Sequence, residues 1–291
     1  MNEEFLVEPT CFNSALELKY LLEKFGFYQG RFIGQFPRSW RKDVFEQMQV
    51  LPDVEQARIR SLMEQHKNCL VPSGQEFLAD LSWFENAHLQ IEQNNFDGLI
   101  AAASNARNYP TVDEVDMDYL RGGQDIRILA SSANYTKYTR RLLQLSHEIV
   151  LVDPYLKLDS RPCAQVIKNL LAVAQQGKCR SFVIWARYEI VSIKNYAQEL
   201  KNSYQCMLLP GSSLTVKLVN DNDSSEKMHA RLMLSVLGGF RFDHGFSEFN
   251  ASRYVDIAIL GKSVHEQHCR WYLDPNSMCD FDIVEEHRIC N

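Results

Sequence analysis

The chain has 291 residues, 45% of them apolar, enough to bury one large core or two of ordinary size, and two is the expectation. Its eight cysteines, at positions 11, 69, 163, 179, 206, 269, 279 and 290, form no Cys-x-x-Cys pair, which excludes a compact disulfide framework and fits a reducing, cytoplasmic setting. The opening MNEEFLVEPT lacks the basic and apolar regions of a signal peptide, and no stretch approaches the length of a membrane span, so no transmembrane segment is expected.

The net charge of −6 is unevenly spread. Residues 71–125 carry two basic and ten acidic groups, whereas residues 126–220 carry thirteen basic and five acidic ones. A phosphate polymer or an acidic partner responds to such a local field, and the two blocks could equally face one another.

Residues 1–124 read as a helical N-terminal region. NSALELKYLLEKFG places Leu16, Leu18, Leu21, Leu22 and Phe25 on an approximate helical stripe, with Asn13 or Ser14 as cap and Gly26 as stop. A second helix starts at Asp53 after Pro52, and GQEFLADLSWFENAHLQIEQ continues the pattern. Between the helices, FGFYQGRFIGQFPRSWRK interleaves six aromatics with four basic residues. Such a mixture can stack on bases while neutralising phosphates, which makes Arg31, Arg38, Trp40, Arg41 and Lys42 candidate nucleic-acid contacts. It also arises when a loop turns its aromatics inward and leaves its cations in water.

NARNYPTVDEVDMDYLRGGQ loses apolar periodicity and gains acid, a proline and paired glycines, so a domain boundary is placed there. Residues 125–291 then read as an α/β domain. Strands are predicted over 125–130, 148–155, 180–186 and 214–219, separated by helices over 135–146, 163–176 and 192–204, which implies parallel pairing through crossovers. Segments 229–236, 239–242 and 255–260 follow with short connections and read as antiparallel or mixed strands before a last helix over 263–272.

Some chemistries find no support. GLIAAASN carries no dinucleotide-binding glycine pattern, LRGGQ and LGGFRF lack the lysine and hydroxyl residue of a P-loop, and no Gly-x-Ser-x-Gly elbow occurs, so no cofactor is expected. The C-terminal stretch holds His265, His268, Cys269, Cys279, His287 and Cys290, all zinc-ligand types. Their spacing follows no zinc-finger pattern, and buried thiols usually serve as small apolar residues, so no metal site is assigned.

The segment EKMHARLMLSVLGGFRFDHGFSEFN, residues 226–250, carries the strongest signal. His229 and Arg231 stand two apart at the head of an apolar run, where on a strand they would share a face. Together with IVLVDPYL after a helix, the helix–strand alternation and the later HGFSEFN, this stretch resembles the phospholipase D superfamily. The likeness covers one half of that family's motif pair over residues 126–272, about half the chain. The pattern is closest to the phospholipase-D-like domain found C-terminal to MIT domains and to its bacterial relatives.

The resemblance implies a phospholipase-D-like α/β/α sandwich with a mixed sheet. It also implies a homodimer, because an active site with two histidines needs two motif copies and this chain has one. In active members a histidine attacks phosphorus, a lysine binds its free oxygens, an aspartate helps hold the site and a second histidine protonates the leaving group. His229 takes the nucleophile position and Arg231 the lysine position, while the aspartate position is Val236. Ser247 and Asn250 stand in imperfectly for a Gly-Ser-x-Asn pattern. His244 is a candidate internal second histidine, and Asp153 either orients a site residue or caps a turn.

These departures favour a degenerate domain that recognises a phosphate-bearing partner, nucleic acid foremost, or mediates assembly in a bacterial complex such as a phage-defence system. Lys227, Arg241 and Arg253 would assist His229 and Arg231 in holding phosphate. The alternatives are a metal-independent phosphodiesterase or nuclease working through a phosphohistidine, and a membrane- or protein-binding adaptor.

Overall fold

The computed structural model describes residues 1–106, 108–116, 118–120, 123–191, 195–225, 227–248, 253–274 and 280–291. The chain divides into two compact units, Met1–Gln124 and Asp125–Asn291.

The first unit is α/β rather than helical. Strands β1 (Glu3–Val7), β2 (Arg31–Gln35), β3 (Leu70–Pro72) and β4 (Gly98–Ile100) form a parallel sheet in the order β3-β2-β1-β4. Helices α1 (Ala15–Leu22), α2 (Trp40–Gln47), α3 (Asp53–Gln65) and α4 (Trp83–Glu92) connect them. The strands escape a periodicity search because they are short and buried on both sides, so they show no polar alternation. Phe5 and Val7 pack into the core built with α1, α2 and α3, while Leu6 between them joins Phe36 and Ala87 of α4. Serine side chains start two of these helices: Ser14 caps α1, and Ser82 forms a reciprocal capping box with Glu85 at α4.

The second unit is built on one mixed sheet of eight strands. In chain order these are β5 (Asp125–Leu129), β6 (Glu148–Val152), β7 (Ser181–Arg187), β8 (Ser213–Asn220), β9 (Arg231–Ser235), β10 (Gly238–Phe242), β11 (Tyr254–Ile259) and β12 (Asp282–Cys290). Their spatial order is β12-β8-β7-β6-β9-β10-β11-β5. β6, β7 and β8 run parallel, and the remaining pairings are antiparallel.

Helix α5 (Ser132–Leu145) lies on one face, its Tyr135 ring 5.9 Å from Phe242, and α6 (Arg161–Gln175) packs beside it. α8 (Lys262–Tyr272) covers the other face, where Tyr272 meets Val150, Val152, Trp185, Leu232 and Leu234. α7 (Tyr196–Tyr204) contacts β12, and residues 192–194, expected at its start, lie outside the described residues.

β12 was not foreseen, because its exposed residues DIVEEH read as tail rather than strand. It pairs along the whole of β8 and contributes mainly Ile289 to the interior. No helix among the described residues is long and apolar enough to cross a membrane.

Candidate functional site

The carboxyl ends of β6, β7 and β8 collect polar residues where the sheet changes from parallel to antiparallel, the usual place for a ligand site in an α/β sheet. Asp153 follows β6, Arg187 ends β7 and Asp221 follows β8. Because β9 runs the opposite way, its first residue, Arg231, comes to the same end, paired with Phe242 of β10.

Asp153 is 1% exposed. Its Oδ1 accepts the Tyr155 N–H at 3.0 Å and its Oδ2 accepts the Phe246 N–H at 3.1 Å. Burial pushes its carboxyl above the ordinary range, against the pull of those two hydrogen bonds and of Arg231. The backbone carrying Phe246 approaches closely because residue 245 is glycine: a Cβ there would stand 2.5 Å from Asp153 Oδ2. The same segment is tied to α5, since Tyr135 Oη donates to the Gly245 carbonyl at 3.1 Å and Glu248 Oε1 accepts the Ser132 N–H at 2.8 Å.

Arg231 Nε lies 3.9 Å from Asp153 Oδ1, a Coulombic contact too long for a hydrogen bond, and this buried nitrogen has no hydrogen-bond partner among the described residues. Nη1 donates to the Asp243 carbonyl at 3.1 Å, and the guanidinium stands 5.4 Å from the centre of the Tyr155 ring. Tyr155 is 54% exposed, and a second guanidinium, that of Arg187, lies 5.5 Å from its ring centre. Two cations therefore flank one accessible aromatic ring.

Arg187 is the most heavily engaged cation of the group. Its Nε and Nη2 donate to Asp221 Oδ2 at 3.2 and 2.8 Å, Nη2 also donates to the Met228 carbonyl at 3.0 Å, and Nη1 reaches Tyr155 Oη at 3.4 Å. Asp221 Oδ2 in turn accepts the Met228 N–H at 2.7 Å. Burial of Asp221 opposes its ionisation but is outweighed by Arg187 and the Met228 hydrogen bond, so its carboxyl stays below the ordinary range. Lys227 Nζ closes the adjoining turn, donating to the Asp221 and Asn222 carbonyls at 2.5 Å each.

His229 is exposed and lies in the extended segment before β9, not on the strand. Both backbone groups of the preceding Met228 are committed to Asp221 and Arg187 rather than to a strand partner. The shared strand face expected for His229 and Arg231 is therefore replaced by a loop position for His229, two residues before the start of β9 at Arg231.

His244 is half-buried in the bend after β10, between Asp243, which accepts from Arg231, and Gly245, which packs on Asp153. Ser247 is half-buried, its N–H donating to the Gly245 carbonyl at 2.9 Å. Arg253 is exposed, and its carbonyl accepts the Ala130 N–H at 2.8 Å. Arg241 pairs with Leu232, so it occupies the opposite sheet face from Arg231 and is separated from the cluster. Val236, the expected aspartate position, is 76% exposed in the turn between β9 and β10, at the far end of β9 from Arg231. Asn250 lies outside the described residues.

In the first unit, two of the five expected nucleic-acid contacts are structural. Arg31 is 2% exposed and donates to the Lys24 and Leu120 carbonyls at 3.3 and 2.6 Å. Trp40 is fully buried and donates to the Val7 carbonyl at 2.5 Å. Neither is accessible to a nucleic acid. Arg38, Arg41 and Lys42 line an open groove of about 460 Å³ with Phe45, but Arg41 pairs with Glu64 at 3.3 Å and Lys42 with Glu46 at 3.2 Å.

The zinc-ligand types are dispersed. His265 is buried, its Nε2 2.8 Å from the Ser235 carbonyl and 3.2 Å from Cys269 Sγ, whereas His287 pairs with Glu285 at 2.8 Å. Cys279 lies outside the described residues, and among those residues no group of three His, Cys, Asp or Glu side chains could hold a metal ion.

Sequence reasoning weighed Asp153 but passed over Tyr155, Arg187 and Asp221. One signal was available: in VLVDPY, FVIWAR and TVKLVND each stands at or just beyond the carboxyl end of a buried strand, where an α/β sheet places its ligand contacts.

No protein-family model matches the chain, and no curated protein matches it. Among solved structures, the archaeal chromatin protein TrmBL2, described as showing a novel mode of DNA binding, aligns over 72% of this chain and 75% of its own at 11% identity. The TM-score of that alignment is 0.24, a value too low to indicate a common fold.

Proposed function

We propose that the second unit is a phospholipase-D-like α/β/α sandwich that binds the phosphate of single-stranded nucleic acid at the Arg231 site and does not turn it over. The observation that carries this reading is the state of Arg231. Its guanidinium is held near buried Asp153 and on the Asp243 carbonyl, with Nε buried and without a hydrogen-bond partner among the described residues, by an accessible Tyr155 ring and two residues after exposed His229. A planar cation takes phosphate oxygens through paired N–H groups, and a neighbouring aromatic gives a base a surface to stack on. Tyr188, 41% exposed and directly after Arg187, adds a second such surface, which a lipid headgroup would not need.

Binding without cleavage fits the departures from the active motif. Arginine replaces lysine with a different donor geometry, and Val236 supplies no carboxylate. The test is fluorescence anisotropy with a 5′-labelled single-stranded oligonucleotide, beside co-sedimentation with anionic vesicles. Salt-sensitive oligonucleotide binding with intact DNA supports the reading; binding to vesicles alone refutes it.

The position of His244 favours one second reading, hydrolysis. In that case His229 attacks phosphorus, the bond to the leaving oxygen breaks as His244 gives that oxygen a proton, and water then cleaves the phosphorus–nitrogen bond. If His229 comes instead from each of two subunits, the protein is a homodimer. A covalent adduct on His229 after acid quenching, together with a mass measurement of the assembly, separates these cases from simple binding.

A further inference from the structure

Resting on the phosphate-binding reading, we infer that Arg187 and Asp221 are positioning residues that set the place of His229 by gripping the backbone of the residue before it. Met228 is held from both sides: Asp221 Oδ2 accepts its N–H at 2.7 Å and Arg187 Nη2 donates to its carbonyl at 3.0 Å. The two gripping side chains are joined to each other by contacts of 2.8 and 3.2 Å, so the peptide units on both sides of Met228 close a ring of charge-assisted hydrogen bonds. The Met228 side chain, 1% exposed, is a third anchor in the core of the second unit.

The anchors come from three separate elements. Arg187 is the last residue of β7, Asp221 follows β8, and Met228 stands three residues before β9. The side chains of Arg187 and Asp221 are 18% and 6% exposed, so the ring is largely shielded from water. Among the described residues His229 has no comparable hold of its own: it is exposed and follows directly on the fixed peptide. A loop histidine held only by its neighbour's backbone inherits its position from that backbone. Small losses of position at a binding or reacting group carry large losses of efficiency.

Arg187 also reaches toward Tyr155 Oη at 3.4 Å and could be thought to bind phosphate directly. The two roles separate in the variant Asp221→Asn, which leaves the guanidinium in place but removes the charge that orients it. A direct phosphate ligand would keep or gain affinity in D221N, because a competing carboxylate is gone. A positioning pair would lose affinity in R187A and in D221N, with the double variant no worse than the worse single one.

The experiment is a titration of wild type, R187A, D221N and R187A/D221N with a 5′-phosphorylated single-stranded oligonucleotide, alongside NMR of the His229 ring resonances in each free protein. The inference expects about tenfold or more weaker binding in both single variants, non-additivity in the double variant, and displaced His229 resonances before any ligand is added. R187K, which can reach only one of the two partners, recovers only part of the affinity. Unchanged His229 resonances in both single variants, or D221N binding as wild type does, overturns the inference. Failure of the phosphate-binding reading is read separately, from wild-type protein that does not bind or from R231A that binds as wild type does, and the resonance comparison tests the positioning role even then.

Discussion

Gly245 and Asp153 are in such close apposition that the glycine's absent side chain is part of the site. A Cβ at 245 would stand 2.5 Å from Asp153 Oδ2, and that oxygen is fixed by the Phe246 N–H at 3.1 Å. The carboxylate is 1% exposed and has no room to retreat. Gly245→Ala is therefore expected to cost about 1–3 kcal/mol of stability, read from the midpoint of chemical unfolding, and to weaken phosphate binding through Arg231. A midpoint equal to that of wild type contradicts this packing account.

The two buried carboxylates respond to pH in opposite directions. Asp153 is pushed above its ordinary value of 3.8, so its contribution to stability is fully present below that value and is lost as pH rises through its folded-state pKa. Asp221 is held below 3.8, so its contribution is present above that value and is lost as pH falls through its folded-state pKa. Unfolding curves of D153N and D221N across the acid range test this. Relative to wild type, D153N gains as pH rises above 3.8, and D221N gains as pH falls below it.

Arg187→Ala leaves Asp221 buried beside the Met228 N–H with its cation gone. Breaking a largely buried pair from one side costs about 3 kcal/mol, and the thermal midpoint falls accordingly. Lys42→Ala removes only an exposed partner of Glu46 and leaves the midpoint unchanged. Equal effects of the two substitutions contradict the assignment of Arg187 to a closed ring.

Trp40→Ala separates a core residue from a ligand contact. Trp40 is fully buried and bonded to the Val7 carbonyl, so its loss costs about 3–5 kcal/mol and unfolds or loosens the first unit. Circular dichroism and a melting curve report this directly. A stable, native-like W40A with weakened oligonucleotide binding would return Trp40 to the surface role its sequence context suggests.

The second unit was largely legible in sequence because its strands and helices are long enough to show their periods. The predicted strand at 214–219 is β8 over Ser213–Asn220, and the predicted helix at 163–176 is α6 over Arg161–Gln175. In the first unit the helices at 15–22, 53–65 and 83–92 were legible but the strands were not, because strands such as Leu70–Pro72 and Gly98–Ile100 span three residues and are mostly buried. Helical stripes around them dominate any window wide enough to measure. β12 was hidden for the opposite reason: along an exposed edge, its side chains carry little of the apolar alternation that marks a strand.

Within the site, His229 and Arg231 stood out because they sit together in one motif. Arg187, Asp221 and Tyr155 come from separate strand ends, and only folding brings them to Met228 and Arg231. Composition misled at Arg31 and Trp40 because a segment rich in aromatics and arginine reads the same whether it faces a polymer or the interior. The register of β10 decides Arg241: one residue's offset from Phe242, the partner of Arg231, puts it on the other face.

That offset supplies the most direct test of the central claim. Wild type, R231A and R241A are titrated with a 5′-phosphorylated single-stranded oligonucleotide over a range of salt concentrations. Phosphate recognition at the carboxyl ends of β6 to β8 predicts that R231A loses about tenfold or more in affinity and shows a shallower dependence on salt, while R241A matches wild type. R231A binding as tightly as wild type, with the same salt dependence, would contradict it.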